Sequence, residues 1–184
     1  MRHPVLIKIL FFLMFALGLA AQPALAGEKP LQRYHIGNLT SATPGPVSGG
    51  LLLMGGGDRH VDAMKWFFAK AGHGHIVILR ASYAGEVGEE FYREIGGIES
   101  AETFVFSDRS AATDARMLRA LRNADGIFIA GGDQARYVRY WRGTPVADAL
   151  NAHVAAGKPL AGTSAGLAML GEYLYGAMDD GSIN

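Results

Sequence analysis

A serine lies among small residues in an arrangement that suits a nucleophile. Gly162-Thr163-Ser164-Ala165-Gly166 matches the pattern G-x-S-x-G, and we call this segment the serine turn. Where a strand turns sharply into a helix, small neighbours let the serine project, and the first N–H groups of the helix can stabilise an oxyanion. The alternative is that Ser164 only caps a helix, because the pattern is short and the chain has 25 glycines.

A second glycine-rich segment, Gly131-Gly132-Asp133-Gln134, comes earlier in the chain, with 30 residues from Gln134 to Ser164. We call it the diglycine turn. Its glycines allow a substrate carbonyl to approach the backbone, so that an N–H near Gly132 could complement that of Ala165 in an oxyanion hole. Gln134, with Asp133 beside it, is predicted to contact a substrate's polar groups. The alternative is an ordinary strand-to-helix turn in which Asp133 is the N-cap.

A third glycine segment, Gly55-Gly56-Gly57-Asp58, is similar to a dinucleotide-binding turn. His60 stands where that pattern needs its third glycine, and Arg80 and Ala81 stand where an acidic residue would contact the ribose. The sequence therefore argues against a nucleotide site.

The histidines offer no clear partner for Ser164. His73-Gly74-His75 has metal-like spacing, but it lies between a predicted helix and the start of a strand, and a surface turn is the favoured interpretation. His153 falls on a predicted helix and is expected to be packed or exposed rather than a base. Among the arginines, Arg136 is the one close enough to a strand end to meet an acidic substrate.

Short apolar runs alternate with helical patterns along the rest of the chain. The predicted strands are Leu51–Met54, Ile76–Leu79, Thr103–Phe106, Ile127–Ala130 and Leu160–Gly162. The predicted helices are Val61–Ala71, Val87–Ile95, Thr113–Asn123 and Val146–Ala156, the last with Thr144 as cap, Pro145 at its first position and Gly157 beyond its end. This alternation predicts an α/β fold with a doubly wound, mostly parallel sheet, in which ligands bind at the carboxyl ends of strands.

The first 26 residues have the character of a secretory signal peptide. Arg2 and Lys8 precede an apolar run of 13 residues, which ends at Gln22 and is followed by Ala24-Leu25-Ala26. A membrane-spanning helix needs about 20 apolar residues, so a stable anchor is not expected. We predict export to the periplasm or medium after cleavage near Ala26.

Composition limits the remaining chain to a globular protein. There is no cysteine, which excludes disulfides and thiolate chemistry, and the 17 Lys and Arg balance 17 Asp and Glu, which argues against a nucleic-acid binder. Residues 27–48 are rich in proline and glycine and are predicted to be a lead-in segment. Residues 49–184 are predicted to be the N-terminal portion of the α/β domain that carries the serine turn.

Taken together, these motifs resemble the cyanophycinase-like serine peptidases, relatives of aspartyl dipeptidase with a class I glutamine amidotransferase-like, flavodoxin-like sheet. The resemblance rests on Gly55–Asp58, the segment Ala124–Gln134, and Lys158-Pro159 followed by the serine turn. It implies that Ser164 is the nucleophile, that the amides of Ala165 and the Gly132 region form the oxyanion hole, and that Gln134 contacts substrate. It also implies an acidic or aspartyl-containing peptide or polymer as substrate, and no metal or cofactor; a homodimer is a further expectation.

The sequence departs from that family after the serine. In the family the catalytic histidine and its acid follow the nucleophile, whereas only 20 residues follow Ser164 here and none is a histidine. We therefore expect the chain to be the front portion of a longer enzyme, with a sheet that is incomplete at the C-terminus. Two alternatives stay open: a peptide-binding module without catalysis, and an α/β-hydrolase-type esterase, which shares G-x-S-x-G.

Overall fold

The computed structural model describes residues 29–40, 44–82 and 87–179. The predicted signal peptide, Tyr83 and residues 180–184 lie outside the described residues. Six strands form one sheet in the order β1-β4-β3-β5-β6-β2. Their bounds are β1 Leu31–Gly37, β2 Leu51–Met54, β3 His75–Arg80, β4 Ser100–Phe106, β5 Gly126–Ile129 and β6 Leu160–Thr163.

The sheet is parallel except at one edge. Strand β1 pairs with β4 in the antiparallel direction, and the pairs β4–β3, β3–β5, β5–β6 and β6–β2 are all parallel. This confirms the predicted α/β class with a mostly parallel sheet. All five predicted strands are present, and β4 begins three residues earlier than predicted because Ser100–Glu102 are also buried.

The helices lie on both faces of the sheet, as a doubly wound fold requires. Their bounds are α1 Val61–Lys70, α2 Val87–Glu89 continued by a π-helix at Glu90–Ile95, a 3₁₀-helix at Arg109–Thr113, α3 Ala115–Asn123, α4 Gln134–Trp141, α5 Pro145–Ala155 and α6 Ala165–Ala168. Among these described helices, none has the length and apolar character needed to cross a membrane.

Two separate cores hold these layers together. On one face, α1 and the π-helix contribute an aromatic cluster that packs on the sheet around Phe128, with Phe91 in edge-on contact at a centroid distance of 4.9 Å. On the other face, α3, α4 and α5 bury Met117, Tyr137 and Val146 against Leu79 and its neighbours. Because both faces of the central strands are covered, these strands are apolar throughout rather than alternating.

Two local predictions need correction. Residues 27–48 were predicted to be a lead-in segment, yet they contain β1, whose seven residues pair with β4 and bury part of Ile36. The prolines and glycines near β1 favoured the interpretation of an irregular segment, whereas β1 is an edge strand of the sheet. Thr144 does stand at the N-cap position of α5, but its hydroxyl donates to the Trp141 carbonyl at 2.7 Å and makes no capping bond to the helix.

The strand order places a crevice at the centre of the sheet. The chain passes from β3 to β4 on one side, then returns to β5 on the other side of β3, and continues outward to β6. The reversal between β3 and β5 is a topological switch point, where open α/β sheets bind ligands beyond the carboxyl ends of the strands. The diglycine turn follows β5, and the serine turn lies on the adjacent β6.

Candidate active site

Ser164 occupies a strained backbone conformation between β6 and α6. Its φ is 53° and its ψ is −123°, a region that residues with a side chain rarely adopt. Its N–H donates to the Met54 carbonyl at 3.0 Å, and its carbonyl accepts from the Ala168 N–H at 3.0 Å. The side chain is exposed and makes no capping bond to α6. This geometry is that of a nucleophile turn and does not fit the alternative of a simple helix cap.

The residues around Ser164 are small because the chain passes very close to itself. A side-chain carbon added to Gly162 would lie 2.6 Å from the Gly166 carbonyl oxygen, and one added to Gly166 would lie 2.6 Å from that of Ala130 and closer still to that of Ile129. No ordinary contact is that short. The serine turn therefore needs both glycines to pack against β5.

The diglycine turn lies directly against the serine turn. A side-chain carbon on Gly131 would be 3.2 Å from the Ser164 Cβ and 3.8 Å from its Oγ. Within the described part of the chain, the N–H groups of Gly132 and Ala165 meet no hydrogen-bond acceptor. Unpaired backbone donors beside an exposed serine hydroxyl are what an oxyanion hole requires. The structure thus brings together the two turns that the sequence paired.

The two side chains predicted to bind substrate are already engaged. The Asp133 carboxylate accepts from the Ala135 N–H at 2.8 Å and so caps α4, as the alternative interpretation held. Arg136, the predicted anion contact, has its Nε 3.7 Å from Asp133 Oδ2. Gln134 donates to the Tyr175 carbonyl at 2.7 Å. Their contact with a substrate stays a prediction.

Two residues that the motifs did not single out hold the diglycine turn. The Asp133 N–H donates to the hydroxyl oxygen of Ser82, a buried residue after β3, at 2.8 Å. The Tyr137 hydroxyl donates to the Ala130 carbonyl at 2.5 Å and lies 3.3 Å from that of Gly131. Burial raises the pKa of Tyr137, so its hydroxyl stays a donor at any physiological pH. The only sequence signal for Ser82 is its place just beyond a predicted strand.

The loop after β2 passes over the other side of Ser164. A side-chain carbon on Gly56 would lie 3.8 Å from Ser164 Oγ, and the Thr163 hydroxyl donates to the Gly55 carbonyl at 2.8 Å. Arg59 anchors the end of this loop, since its guanidinium pairs with Glu90 at 3.0 Å and stacks 5.1 Å from the Phe128 ring centroid. The loop thus serves as one wall of the site.

The described histidines differ in where they lie relative to Ser164. His60 is exposed at the start of α1, after the loop that passes Ser164, and its Nδ1 accepts from the Ala63 N–H at 3.4 Å. His153 and His75 lie at the other end of the strands. His153 is buried and bonds the Pro159 carbonyl at 3.0 Å, just before β6 begins, whereas Ser164 follows the end of β6. His75 starts β3 and lies 2.6 Å from the Ser100 hydroxyl. His73 is exposed in a turn, as predicted. In the described ranges, no three His, Asp or Glu side chains converge in the manner of a metal site.

Comparison with known proteins gives the family. The model of Peptidase family S51 matches residues 51–183, which contain both turns. A cyanophycinase of Trichormus variabilis is 29% identical over 147 residues, covering 74% of this chain and 49% of the relative. A cyanophycinase of Synechococcus elongatus is 38% identical over 89 residues, covering 48% of this chain and 27% of the relative. The chain therefore spans about half the length, or less, of these relatives.

A solved structure agrees with the fold. The crystal structure of a peptidase from an acI-B1 Actinobacterium superposes with a TM-score of 0.50 at 21% identity, covering 70% of this chain and 58% of that one. The likeness extends to the mostly parallel sheet with helices. Because the family match covers the diglycine turn, the serine turn and all of β2 to β6, the chain belongs to peptidase family S51.

Proposed function

We propose that the intact protein is an exported serine peptidase of the cyanophycinase type, which hydrolyses aspartyl peptide bonds, including β-aspartyl–arginine bonds. The observation that carries this proposal is the exposed Ser164 hydroxyl on a strained turn, beside two backbone N–H groups that have no acceptor in the described chain. The predicted signal peptide supports export, and the names of the cyanophycinase relatives support the substrate class.

The reaction would proceed by covalent catalysis. Ser164 Oγ attacks the carbonyl carbon of the scissile bond and loses its proton to a base, which forms a tetrahedral intermediate. The N–H groups of Gly132 and Ala165 stabilise the negative oxygen of that intermediate, aided by the N-terminal end of α6. The base then protonates the leaving amine as the C–N bond breaks. Water hydrolyses the resulting ester and releases Ser164.

The base and its acidic partner would come from a part of the protein beyond residue 184. In the described chain, His153 and His75 lie at the opposite end of the strands, and the Nδ1 of His60 caps α1 by accepting from the Ala63 N–H. No histidine follows Ser164 in the sequence. The curated relatives are about twice as long as the matched region. A histidine beyond residue 184 that contacts Ser164, oriented by an acidic side chain, would complete a catalytic triad of nucleophile, base and acid.

An apolar groove on the face of α4 and α5 supports the proposal that the intact protein has further polypeptide packed on this domain. It has a volume of about 960 Å³ and exposes Leu51 and Val154, which are 55% and 43% accessible. Trp141 also lines it. Soluble monomers rarely leave such a surface open. In a longer protein, further polypeptide would cover it.

The proposal is tested by active-site labelling of the intact gene product. A fluorophosphonate probe should react with Ser164, because the hydroxyl displaces fluoride and the phosphonyl oxygen occupies the oxyanion hole. Ser164→Ala should abolish labelling, and Ser107→Ala, which removes a hydroxyl beyond β4, should leave it unchanged. Equal labelling of the Ser164→Ala protein would refute the assignment of the nucleophile.

The substrate class needs a second measurement. The intact gene product, without the probe, should cleave β-aspartyl–arginine and α-aspartyl peptides faster than a simple aryl ester of similar size. An ester preferred over every aspartyl peptide would support esterase chemistry instead. Binding of aspartyl peptides without turnover or labelling would support the peptide-binding module.

A further inference from the structure

Ser82 contacts the diglycine turn at the residue next to the one that faces Ser164. A side-chain carbon on Gly131 would point at Ser164, whereas one on Gly132 would lie 2.9 Å from both Cβ and Oγ of Ser82. Ser82 is 5% accessible and stands beyond the carboxyl end of β3, on one side of the switch-point crevice. The diglycine turn, which follows β5, is therefore enclosed between two serines that follow β3 and β6, the strands on either side of β5.

Ser82 holds one of the two peptide groups that flank Gly132. The carbonyl of Gly132 and the N–H of Asp133 belong to the same planar peptide, so a bond to one fixes the direction of the other. The Ser82 oxygen accepts that N–H at 2.8 Å. On the other flank, the Gly131 carbonyl shares a peptide with the Gly132 N–H, and the Tyr137 hydroxyl lies 3.3 Å from that carbonyl.

With both flanking peptides held, the direction of the Gly132 N–H is set before any substrate arrives. Glycine is the residue with the greatest backbone freedom, so an unheld Gly131-Gly132 pair would sample many orientations. An oxyanion donor is effective because it is already aimed and needs no reorganisation during the reaction. Loss of one hold would leave the donor present but poorly aimed.

We propose that Ser82 is a positioning residue that aims the Gly132 N–H at the oxyanion formed on attack by Ser164. The inference rests on the proposed function, since it assigns Ser82 a part in the same reaction. Ser82 does not touch the reacting atoms in this scheme. It acts through the peptide between Gly132 and Asp133.

The test compares Ser82→Ala, Ser82→Thr and the control Ser107→Ala in the intact gene product. We expect Ser82→Ala to lower the second-order rate of fluorophosphonate labelling about 10- to 100-fold, as for a misaimed catalytic donor. Ser82→Thr keeps the oxygen and should restore the rate to within about threefold. Ser107→Ala removes a hydroxyl that donates to the Lys29 carbonyl at 2.9 Å, and it should match the wild type.

Amide hydrogen exchange of the same proteins gives a readout that does not need activity. In Ser82→Ala, exchange of the Asp133 N–H should rise about tenfold, while amides in β5 keep their protection. Unchanged exchange at Asp133 would overturn the proposal, as would faster exchange with normal labelling, because the bond would then be structural only. If the wild type itself is never labelled, the proposed function fails and the role of Ser82 fails with it. That result is distinguished from the two above because in those the wild type is labelled.

Discussion

The two ends of the parallel strands hold polar residues of opposite character. At the amino ends, polar groups are paired: Asp125 accepts the His75 N–H at 2.8 Å, His75 meets Ser100, and Lys158 donates to the Ala124 carbonyl at 2.6 Å. At the carboxyl ends, the Ser164 side chain is exposed on a strained backbone, beside N–H groups without an acceptor in the described chain.

The two ends of the strands make opposite contributions to the stability of the fold. Paired polar groups at the amino ends satisfy buried backbone atoms and fix the starts of the strands. Strain and unpaired donors at the carboxyl ends cost stability, and they persist because the surrounding turns pack too tightly to relax. The histidines with metal-like spacing belong to the first region and Ser164 to the second. The strained backbone of Ser164 and the unpaired donors beside it therefore distinguish the candidate site from the amino ends of the strands.

The largest expected effect comes from filling the space behind the nucleophile. Gly166→Ala would place a carbon 2.6 Å from the Ala130 carbonyl oxygen, which has no room to move within the sheet. We expect the unfolding free energy to fall by more than about 4 kcal/mol, or the protein to fail to fold. At the other end, Gly157→Ala meets no atom within 4 Å and has only its φ of 70° to accommodate, which should cost about 1 kcal/mol.

Urea unfolding of both variants, or soluble yield where Gly166→Ala does not fold, measures this contrast. A Gly166→Ala protein within about 1 kcal/mol of the wild type would mean that the two turns are loosely packed. The comparison between the two ends would then lose its physical basis.

A smaller effect should reveal the strain at the nucleophile itself. Ser164→Gly and Ser164→Ala both remove the hydroxyl and should both abolish labelling. Glycine adopts a positive φ freely, whereas alanine keeps the strained conformation, so we expect the glycine variant to be more stable than the alanine variant by about 1 kcal/mol. Elsewhere glycine is normally the less stable of the two. Urea unfolding of the pair decides the sign, and a more stable alanine variant would show that the Ser164 backbone is unstrained.

The sequence was sufficient for the elements and motifs that depend on local pattern. Apolar runs located the strands β2 to β6, and the sharp strand-to-helix turns placed Ser164 and the diglycine turn at the same end of the sheet. Their proximity followed from the general rule that the carboxyl ends of parallel strands share one edge. The family match confirms the recognition of a cyanophycinase-like peptidase that these motifs suggested.

What escaped prediction depends on which strands become neighbours. Nothing in Leu31–Gly37 shows that it pairs with β4, because an edge strand with one partner has no strong apolar pattern. Ser82 gains its role only because β3 lies beside β5, an order fixed by packing over the whole sheet. Helix α4 was indicated only by the strand-to-helix turn with Asp133 as N-cap and was given no bounds, since its arginines mask the buried Tyr137 and Trp141.

The smallest effect concerns a histidine at the paired end of the strands. His153 on α5 is 4% accessible, and its Nε2 lies 3.0 Å from the Pro159 carbonyl, so this nitrogen carries the proton of a neutral ring. Burial lowers the pKa of His153, more than the bond to Pro159 raises it, and the positive charge of Lys158 acts in the same direction as burial. The nearby Asp125 carboxylate opposes them weakly.

A histidine whose pKa is lower in the folded than in the unfolded state binds fewer protons when folded, so its contribution to stability is present above about pH 6.5 and is lost as pH falls below it. The unfolding free energy should therefore drop between about pH 7 and the lowered pKa. His153→Gln, which can still donate to the Pro159 carbonyl, should flatten this dependence. Urea unfolding at several pH values measures the slopes. Equal slopes for the wild type and His153→Gln would mean that the amino end of the sheet accommodates a charged His153 without loss of stability.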